Sequence, residues 1–158
     1  MEHLDKTEFI NLVNKSIENI KAREAVFNLL EFSQKYALKV TGGEYNRSFH
    51  HITSTSYGSD ELFHCDFTGN VWLEFDNFTE LNSDIVAQFT HKLVNLSATG
   101  FMYLLPIESN YYQGNKRGFC IEDTLVNPKI MREFKAGILK LQNDIRKKPQ
   151  NKSGCDWI

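Results

Sequence analysis

The chain has 158 residues, of which 41% are hydrophobic, including 12 Phe and 6 Tyr; this suffices for the core of one domain and excludes a disordered chain. Its net charge of −2 hides an uneven distribution, because residues 48–91 contain seven acids and no Lys or Arg, whereas the last 44 residues contain ten bases and five acids. Such a distribution limits the partners that a surface attracts, but it identifies no reaction.

Residues 5–36 carry the signals of helical structure. Asp5 followed by Glu8 is typical of a helix start. Apolar residues then recur at the three- and four-residue spacing of one helix face: Ile10, Val13, Ile17 and Ile20. The pattern continues to about Tyr36, which predicts either one long helix or two helices with a break near Lys21. Gly42-Gly43 is expected to end this helical segment.

Three strands are predicted between residues 49 and 76. The first covers about Phe49–Tyr57. The second and third, Leu62–Phe67 and Val71–Asp76, flank a loop that contains Gly69, as in a β-hairpin. If Phe67 lies opposite Val71, one face of the hairpin is wholly apolar. A slip by one residue would mix the two faces, so the pattern favours this register.

The second half of the chain is predicted to contain two helices and two strands. Asn82 or Ser83 is expected to cap the first helix, and Asn127-Pro128 to begin the second. The predicted strands are Phe101–Leu105 and Phe119–Ile121. The second helix has the most regular apolar stripe of the chain: Met131, Phe134, Ile138, Leu141 and Ile145.

The predicted order of elements, α-βββ-α-ββ-α, indicates an α+β fold. Short connections between consecutive strands favour an antiparallel sheet of about five strands, with helices at the N-terminus, in the middle and at the C-terminus. One domain is expected over residues 1–148, and a flexible tail over 149–158. The order and size resemble those of class I type III secretion chaperones, small acidic dimers that hold an unfolded segment of an effector. The resemblance implies protein binding and leaves a homodimer open, and it assigns no residues.

The cysteines and the apolar runs favour a cytoplasmic location. Cys65, Cys120 and Cys155 are widely spaced and form no CxxC pair, which is typical of a reducing compartment. The first residues lack the pattern of a secretory signal. The longest apolar run, Phe101–Leu105, is far shorter than the roughly 18 residues of a membrane span, so no membrane association is expected.

The polar face of the predicted hairpin suggests a surface that binds protein. It places Trp72 among four polar side chains: His64, Asp66, Glu74 and Asp76. An aromatic residue surrounded by acids is typical of a contact with a basic protein. We therefore predict a non-enzymatic binding module of the chaperone, immunity or inhibitor type, which needs no cofactor and binds a basic protein.

Two alternatives stay open at this point. In the first, His50, His51 and His91 form a metal-dependent hydrolase or nuclease site, in which a histidine activates water beside a divalent ion. In the second, the basic C-terminal helix binds nucleic acid through positive charges opposite its apolar stripe. Its candidate contacts are Lys129, Arg132, Lys135, Lys140, Arg146, Lys147 and Lys148.

Overall fold

The N-terminal segment folds into two helices in a computed structural model, which describes residues 4–43, 47–104, 117–145, 155 and 157. Asp5 caps α1 (Lys6–Ser16) by accepting a hydrogen bond from the backbone N–H of Glu8 at 2.8 Å. Asn19 caps α2 (Ile20–Tyr36) in the same way. The two-helix alternative is therefore correct, and the break lies at residues 17–19.

Five strands form one antiparallel sheet in the order β1-β2-β3-β4-β5. They are β1 (Lys39–Gly43), β2 (Ser48–Thr55), β3 (Gly58–Asp66), β4 (Asn70–Leu73) and β5 (Arg117–Cys120). Together with helices near both ends and in the middle, this sheet confirms the predicted α+β class and the number of strands.

Two further helices and three short 3-10 turns complete the described part of the chain. Asn82 caps α3 (Ser83–Leu96), and α4 (Pro128–Ile145) begins at the predicted proline. All five residues of the predicted stripe on α4 are buried, as expected. The 3-10 turns are Phe75–Asn77, Met102–Leu104 and Ile121–Asp123.

Two local predictions were wrong. Where a strand was expected at residues 101–105, residues 102–104 form the 3-10 turn Met102–Leu104, and residue 105 lies outside the described residues. Phe101, just before this turn, and Leu104, three residues later, are both fully buried. The fifth strand is β1 instead, and it contains the Gly42-Gly43 pair that was expected to end a helix. A Cβ at Gly42 would overlap the carbonyl oxygen of Leu4, so this glycine permits the N-terminal backbone to pack on the strand.

The hairpin of β3 and β4 has a different register from the predicted one. Cys65 lies opposite Val71 and Phe63 opposite Leu73, which is a shift of two residues. Because side chains alternate with a period of two, the shift leaves Phe63 to Cys65 and Val71 to Leu73 on their predicted faces. Leu62 is the exception: it was predicted beside His64 on the polar face, but it is left out of the pairing with β2 and is fully buried. The cause of the shift is the loop at 67–69: the Asp66 carboxylate accepts hydrogen bonds from the N–H of Thr68 at 3.0 Å and of Asn70 at 2.9 Å. Phe67 therefore belongs to the loop.

The helices cover one face of the sheet. Phe9 of α1 contacts Phe49 with ring centroids 5.5 Å apart, and Phe134 of α4 contacts Phe63 at 5.7 Å. Phe32 of α2 stacks on His51, which lies on the same face. We call the opposite face, which carries His50, His64 and Trp72, the outer face.

The C-terminal segment is described only at Cys155 and Trp157. Trp157 forms a parallel bridge with Val40 of β1, and its indole N–H donates a hydrogen bond to the carbonyl oxygen of Leu4 at 3.1 Å. These two positions of the predicted flexible tail thus lie against the domain. Among the described helices, none has both the length and the apolar character needed to cross a membrane.

Candidate metal centre

A row of aromatic rings crosses the outer face of the sheet. His50 of β2 lies opposite His64 of β3, and His64 lies opposite Trp72 of β4. The two imidazoles are nearly parallel, with centroids 5.1 Å apart and planes at 29°. The indole of Trp72 continues the row at 6.4 Å and 28° from His64. The antiparallel ladder thus brings two histidines from different strands side by side.

A glycine lies beside each end of this row. A Cβ at Gly43 of β1 would overlap Nε2 of His50, and a Cβ at Gly118 of β5 would lie 2.6 Å from the ring of Trp72. Both rings therefore lie almost on the backbone of the neighbouring strand. A side chain at either glycine would displace the ring next to it.

A β-bulge brings Glu61 between the two histidines. The pairing of β2 with β3 shifts after His51, so that Ile52 lies opposite Glu61 and Leu62 is an extra residue. Without this extra residue, Glu61 and His64 would point to opposite faces. In the structure, Oε1 of Glu61 contacts Nδ1 of His50 and lies 3.0 Å from Nδ1 of His64.

A second carboxylate approaches from the end of β4. The backbone N–H of Glu74 donates to the carbonyl oxygen of Leu62 at 3.0 Å, which fixes the chain as it leaves the strand. Oε1 of Glu74 then lies 3.6 Å from Nδ1 of His64. The Asn77 side-chain amide donates to the carbonyl oxygen of Glu61, which ties the following turn to β3.

The centre is largely shielded from solvent on one side and reachable on the other. The exposed fractions of the side chains are 3% for His64, 12% for Glu74, 19% for Glu61 and 21% for His50. An ion or a proton would therefore enter past His50 and Glu61. Ligands that are mostly buried are held in place by their surroundings, which lowers the entropy that binding an ion would cost.

Glu61 is ionised across the physiological pH range. Burial raises the pKa of its carboxyl group, but the contacts with His50 and His64 outweigh that effect and lower the pKa to about 2. The centre thus offers a permanent carboxylate between two imidazoles.

The orientation of His50 is set by a buried serine. Oγ of Ser48 lies 3.1 Å from Nε2 of His50, and Ser48 is fully buried. When Nε2 is protonated and its N–H donates a hydrogen bond to Oγ of Ser48, Nδ1 is free to offer its lone pair to an ion. Metal-binding histidines commonly have such a partner on the second nitrogen.

The donor atoms suit a divalent transition metal. His50, Glu61 and His64 each offer one ligand atom, and these three atoms lie within 4.8 Å of one another. Two imidazole nitrogens with a carboxylate oxygen form a common ligand set for Zn²⁺ and for other first-row divalent ions. The same atoms would suit Mg²⁺ or Ca²⁺ poorly, because those ions prefer oxygen ligands throughout.

The five residues predicted to bind a partner do not form one exposed surface. His64 and Glu74 are buried, and Trp72 is half-buried in the ring row. Asp66 accepts hydrogen bonds within its own loop, and Asp76 is exposed on the turn after β4. Binding of a basic protein, and a homodimer, stay predictions that these positions neither test nor support.

The three histidines predicted for hydrolysis do not share a site. His51 follows His50 on β2 and therefore lies on the opposite, helix-covered face, where it contacts Ser33 and Gln142 and is fully buried. His91 is exposed on α3. Of the three, only His50 belongs to the centre. Its companions, Glu61 and His64, were missed as metal ligands because plain strand alternation places them on opposite faces.

The basic helix α4 is exposed at Lys129, Arg132 and Lys140. Lys135 is half-buried, where its Nζ contacts Asn28 and lies 5.7 Å from the centroid of the Phe32 ring. The other three predicted contacts, at positions 146–148, lie outside the described residues. Binding of nucleic acid through this helix stays a prediction.

Comparison with protein-family models, with curated proteins and with solved structures finds no match to this chain. The resemblance to type III secretion chaperones therefore gains no support from solved structures. Any functional conclusion has to come from the geometry of the chain itself.

Proposed function

We propose that this protein binds a divalent transition-metal ion through Nδ1 of His50, Oε1 of Glu61 and Nδ1 of His64. The observation that carries the proposal is the convergence of two histidine nitrogens on one carboxylate oxygen at a largely buried position. Three strand residues from β2 and β3 supply these atoms, so the frame that holds them is the sheet.

A cluster held only by hydrogen bonds explains this arrangement less well. The 3.0 Å separation between His64 and Glu61 lacks the geometry of a hydrogen bond, and Nδ1 of His64 is buried. A buried polar atom without such a bond costs about 1–3 kcal/mol. A metal ion between these atoms would satisfy His50, Glu61 and His64 together.

The charge of the surrounding segment also favours a cation. All three ligands lie within residues 48–91, the stretch that contains no Lys or Arg. The segment therefore offers no positive side chain other than histidine to neutralise its carboxylates. A bound dication would supply positive charge beside Glu61, whose carboxylate is largely shielded from solvent.

A metal titration tests the proposal. The full chain, stripped with a chelator, is titrated with Zn²⁺ and followed by calorimetry and thermal unfolding. We expect one ion per chain. At a free Zn²⁺ concentration 100-fold above Kd, the stabilisation is about 2.7 kcal/mol, which corresponds to a rise in Tm of roughly 5–10 °C.

Variants localise the binding to the centre. His64→Gln and Glu61→Gln are each expected to abolish the rise in Tm, whereas His91→Gln, at an exposed histidine of α3, keeps it. Absence of binding by the wild type, or an undiminished effect in Glu61→Gln, would refute the proposal.

A further inference from the structure

We propose that a groove beside β1 is a peptide-binding site for an extended segment of a partner protein that carries a tryptophan, and that Trp157 fills this site as an exchangeable ligand from the chain itself. We call it the β1 groove, and five residues line it: Leu4, Phe9, Val40, Gly42 and Phe49. The groove lies on the helix-covered side of the sheet, so the proposal does not depend on the metal centre.

The side-chain part of the groove fits an indole ring. The ring of Trp157 lies 5.6 Å from that of Phe9 and 6.4 Å from that of Phe49, and both phenylalanines are fully buried. A Cβ at Gly42 would lie 2.7 Å from Cζ2 of the indole, so the ring rests on bare backbone at this point. Two fixed rings and one glycine thus form a slot for a flat aromatic side chain.

One hydrogen bond distinguishes tryptophan from the other aromatic residues in this slot. The indole N–H of Trp157 donates to the carbonyl oxygen of Leu4 at 3.1 Å, and Leu4 is itself buried. Phenylalanine has no donor, and tyrosine carries its hydroxyl group at another position of a smaller ring. We therefore expect the groove to prefer tryptophan, because both its large apolar ring and its single donor are used.

The edge of β1 offers backbone partners to the same segment. β1 is the first strand in the order of the described sheet, so β2 pairs with only one of its edges. At the other edge Trp157 forms a parallel bridge with Val40, and the backbone N–H of Cys155 donates to the carbonyl oxygen of Gln34 on α2. Addition of an extended segment to a sheet edge is a common mode of peptide recognition, in which backbone bonds give affinity and side-chain pockets give specificity. The β1 groove has both features.

The position of Trp157 at the surface of the domain favours exchange. Trp157 is half-buried, whereas Phe9 and Phe49 beneath it are fully buried, so its ring can leave while the core stays closed. A segment tethered to the chain competes with any external ligand. It lowers the apparent affinity of that ligand by the fraction of molecules in which the groove is open. A partner segment with further contacts along β1 would therefore displace Trp157.

A fluorescent peptide with the sequence of residues 149–158 tests the proposal, by anisotropy under reducing conditions. We expect it to bind the full-length Trp157→Ala variant in a one-to-one ratio, at least about tenfold more tightly than the wild type, whose groove is filled. Tyr57→Ala removes an aromatic side chain that is 93% exposed and serves as the matched control. This control should bind the peptide no better than the wild type does.

Two altered peptides test the role of the indole. With alanine at the position of Trp157, the affinity of the peptide for the Trp157→Ala chain should fall by about tenfold or more, as expected of an anchor residue. With phenylalanine it should fall by about 2–10-fold, the usual effect of one lost hydrogen bond. Equal binding of the alanine peptide and the unaltered peptide would overturn the proposal.

The wild type provides a test that needs no variant of the chain. Its two tryptophans, Trp72 and Trp157, give separate indole N–H signals in NMR spectra of isotope-labelled protein. Excess unlabelled peptide should move the signal of Trp157 to the position of a solvent-exposed indole and leave that of Trp72 unchanged. If neither signal moves at millimolar peptide, the groove does not exchange its occupant and the proposal fails, even where Trp157→Ala does not fold.

Self-association would assign the groove to a different occupant. If the wild type dimerises reversibly and Trp157→Ala stays monomeric in sedimentation experiments, the segment of a second copy fills the groove, and the assignment to a partner protein is wrong. A wild type that stays monomeric and exchanges Trp157 for the peptide supports that assignment.

Discussion

At the scale of single residues, Glu61 gives a prediction about pH for the metal-free protein. Its pKa is about 2 in the folded chain and 4.5 without the fold. Because the folded pKa is the lower one, the unfolded chain binds more protons between these values. The contribution of Glu61 to stability is therefore complete above pH 4.5 and is lost as the pH falls towards 2.

Urea unfolding at a series of pH values measures this effect. We expect the free energy of unfolding of the wild type to fall more steeply between pH 4.5 and 2 than that of Glu61→Gln, whose side chain does not titrate. Glu80→Gln, at an intermediate-exposure acid away from the centre, should follow the wild type. Parallel curves for the wild type and Glu61→Gln would show that the histidine contacts do not lower the pKa.

Gly43 leads to a second prediction at this scale. Gly43→Ala would place a methyl group against Nε2 of His50, so the imidazole must move and its Nδ1 leaves the centre. We expect the affinity for Zn²⁺ to fall by about tenfold or more, since even outer-shell changes have effects of about 10–100-fold. Calorimetry of the folded variant gives this value.

Gly118→Ala is the matched control for Gly43→Ala. It would press instead on the ring of Trp72, which is no ligand, at the other end of the ring row. We therefore expect a change in tryptophan fluorescence with a smaller loss of affinity. Equal losses of affinity in the two variants would mean that the glycines support the whole sheet and have no specific effect on His50.

At the scale of elements, regular periodicity made much of the fold predictable. The stripe on α4 and the caps Asp5 and Asn82 give their helices correctly, because helix signals are local. The hairpin faces are also correct for residues 63–65 and 71–73, since a register error of two residues preserves them. The prediction that Gly42-Gly43 ends a helix was wrong. The pair lies in β1, where Gly42 allows the backbone of Leu4 to approach the strand closely.

The candidate centre could not be predicted from periodicity, and the bulge at Leu62 is the reason. Strict alternation puts Glu61 on the face opposite to His64 and hides their relation. One extra residue reverses that assignment. The pairing of His50 with His64 depends in addition on the register of β2 with β3, which the polar residues before Asp60 do not specify. Long-range register is a tertiary property.

At the scale of the whole molecule, the two faces of the sheet differ in the interactions that stabilise them. The helix-covered face carries the apolar core, in which His51 contacts Ser33 and Gln142. The outer face carries the ring row, the partly exposed carboxylate of Glu61 and the buried carboxylate of Glu74. The helix-covered face is stabilised by apolar burial. We expect the stability of the outer face to depend on the bound ion.

Trp157 joins the C-terminal segment to the N-terminal segment around α1. The ring of Trp157 lies 5.6 Å from that of Phe9, and its N–H donates to the carbonyl oxygen of Leu4. Complete burial makes a Trp→Ala change cost about 3–5 kcal/mol. Trp157 is half-buried, so we expect Trp157→Ala to lower the free energy of unfolding by about 1–3 kcal/mol.

Urea unfolding and a second variant separate the two parts of this contact. Trp157→Phe keeps an aromatic ring but loses the N–H donor, so it should cost about 0.5–1.5 kcal/mol, the usual net value of one hydrogen bond. Neither variant should change the affinity for Zn²⁺, because Trp157 packs on the helix-covered face with Phe9 and Phe49. An unchanged urea midpoint in Trp157→Ala would show that the contacts of Trp157 add nothing to the stability of the domain. A loss of metal binding in that variant would instead mean that the two faces of the sheet are coupled.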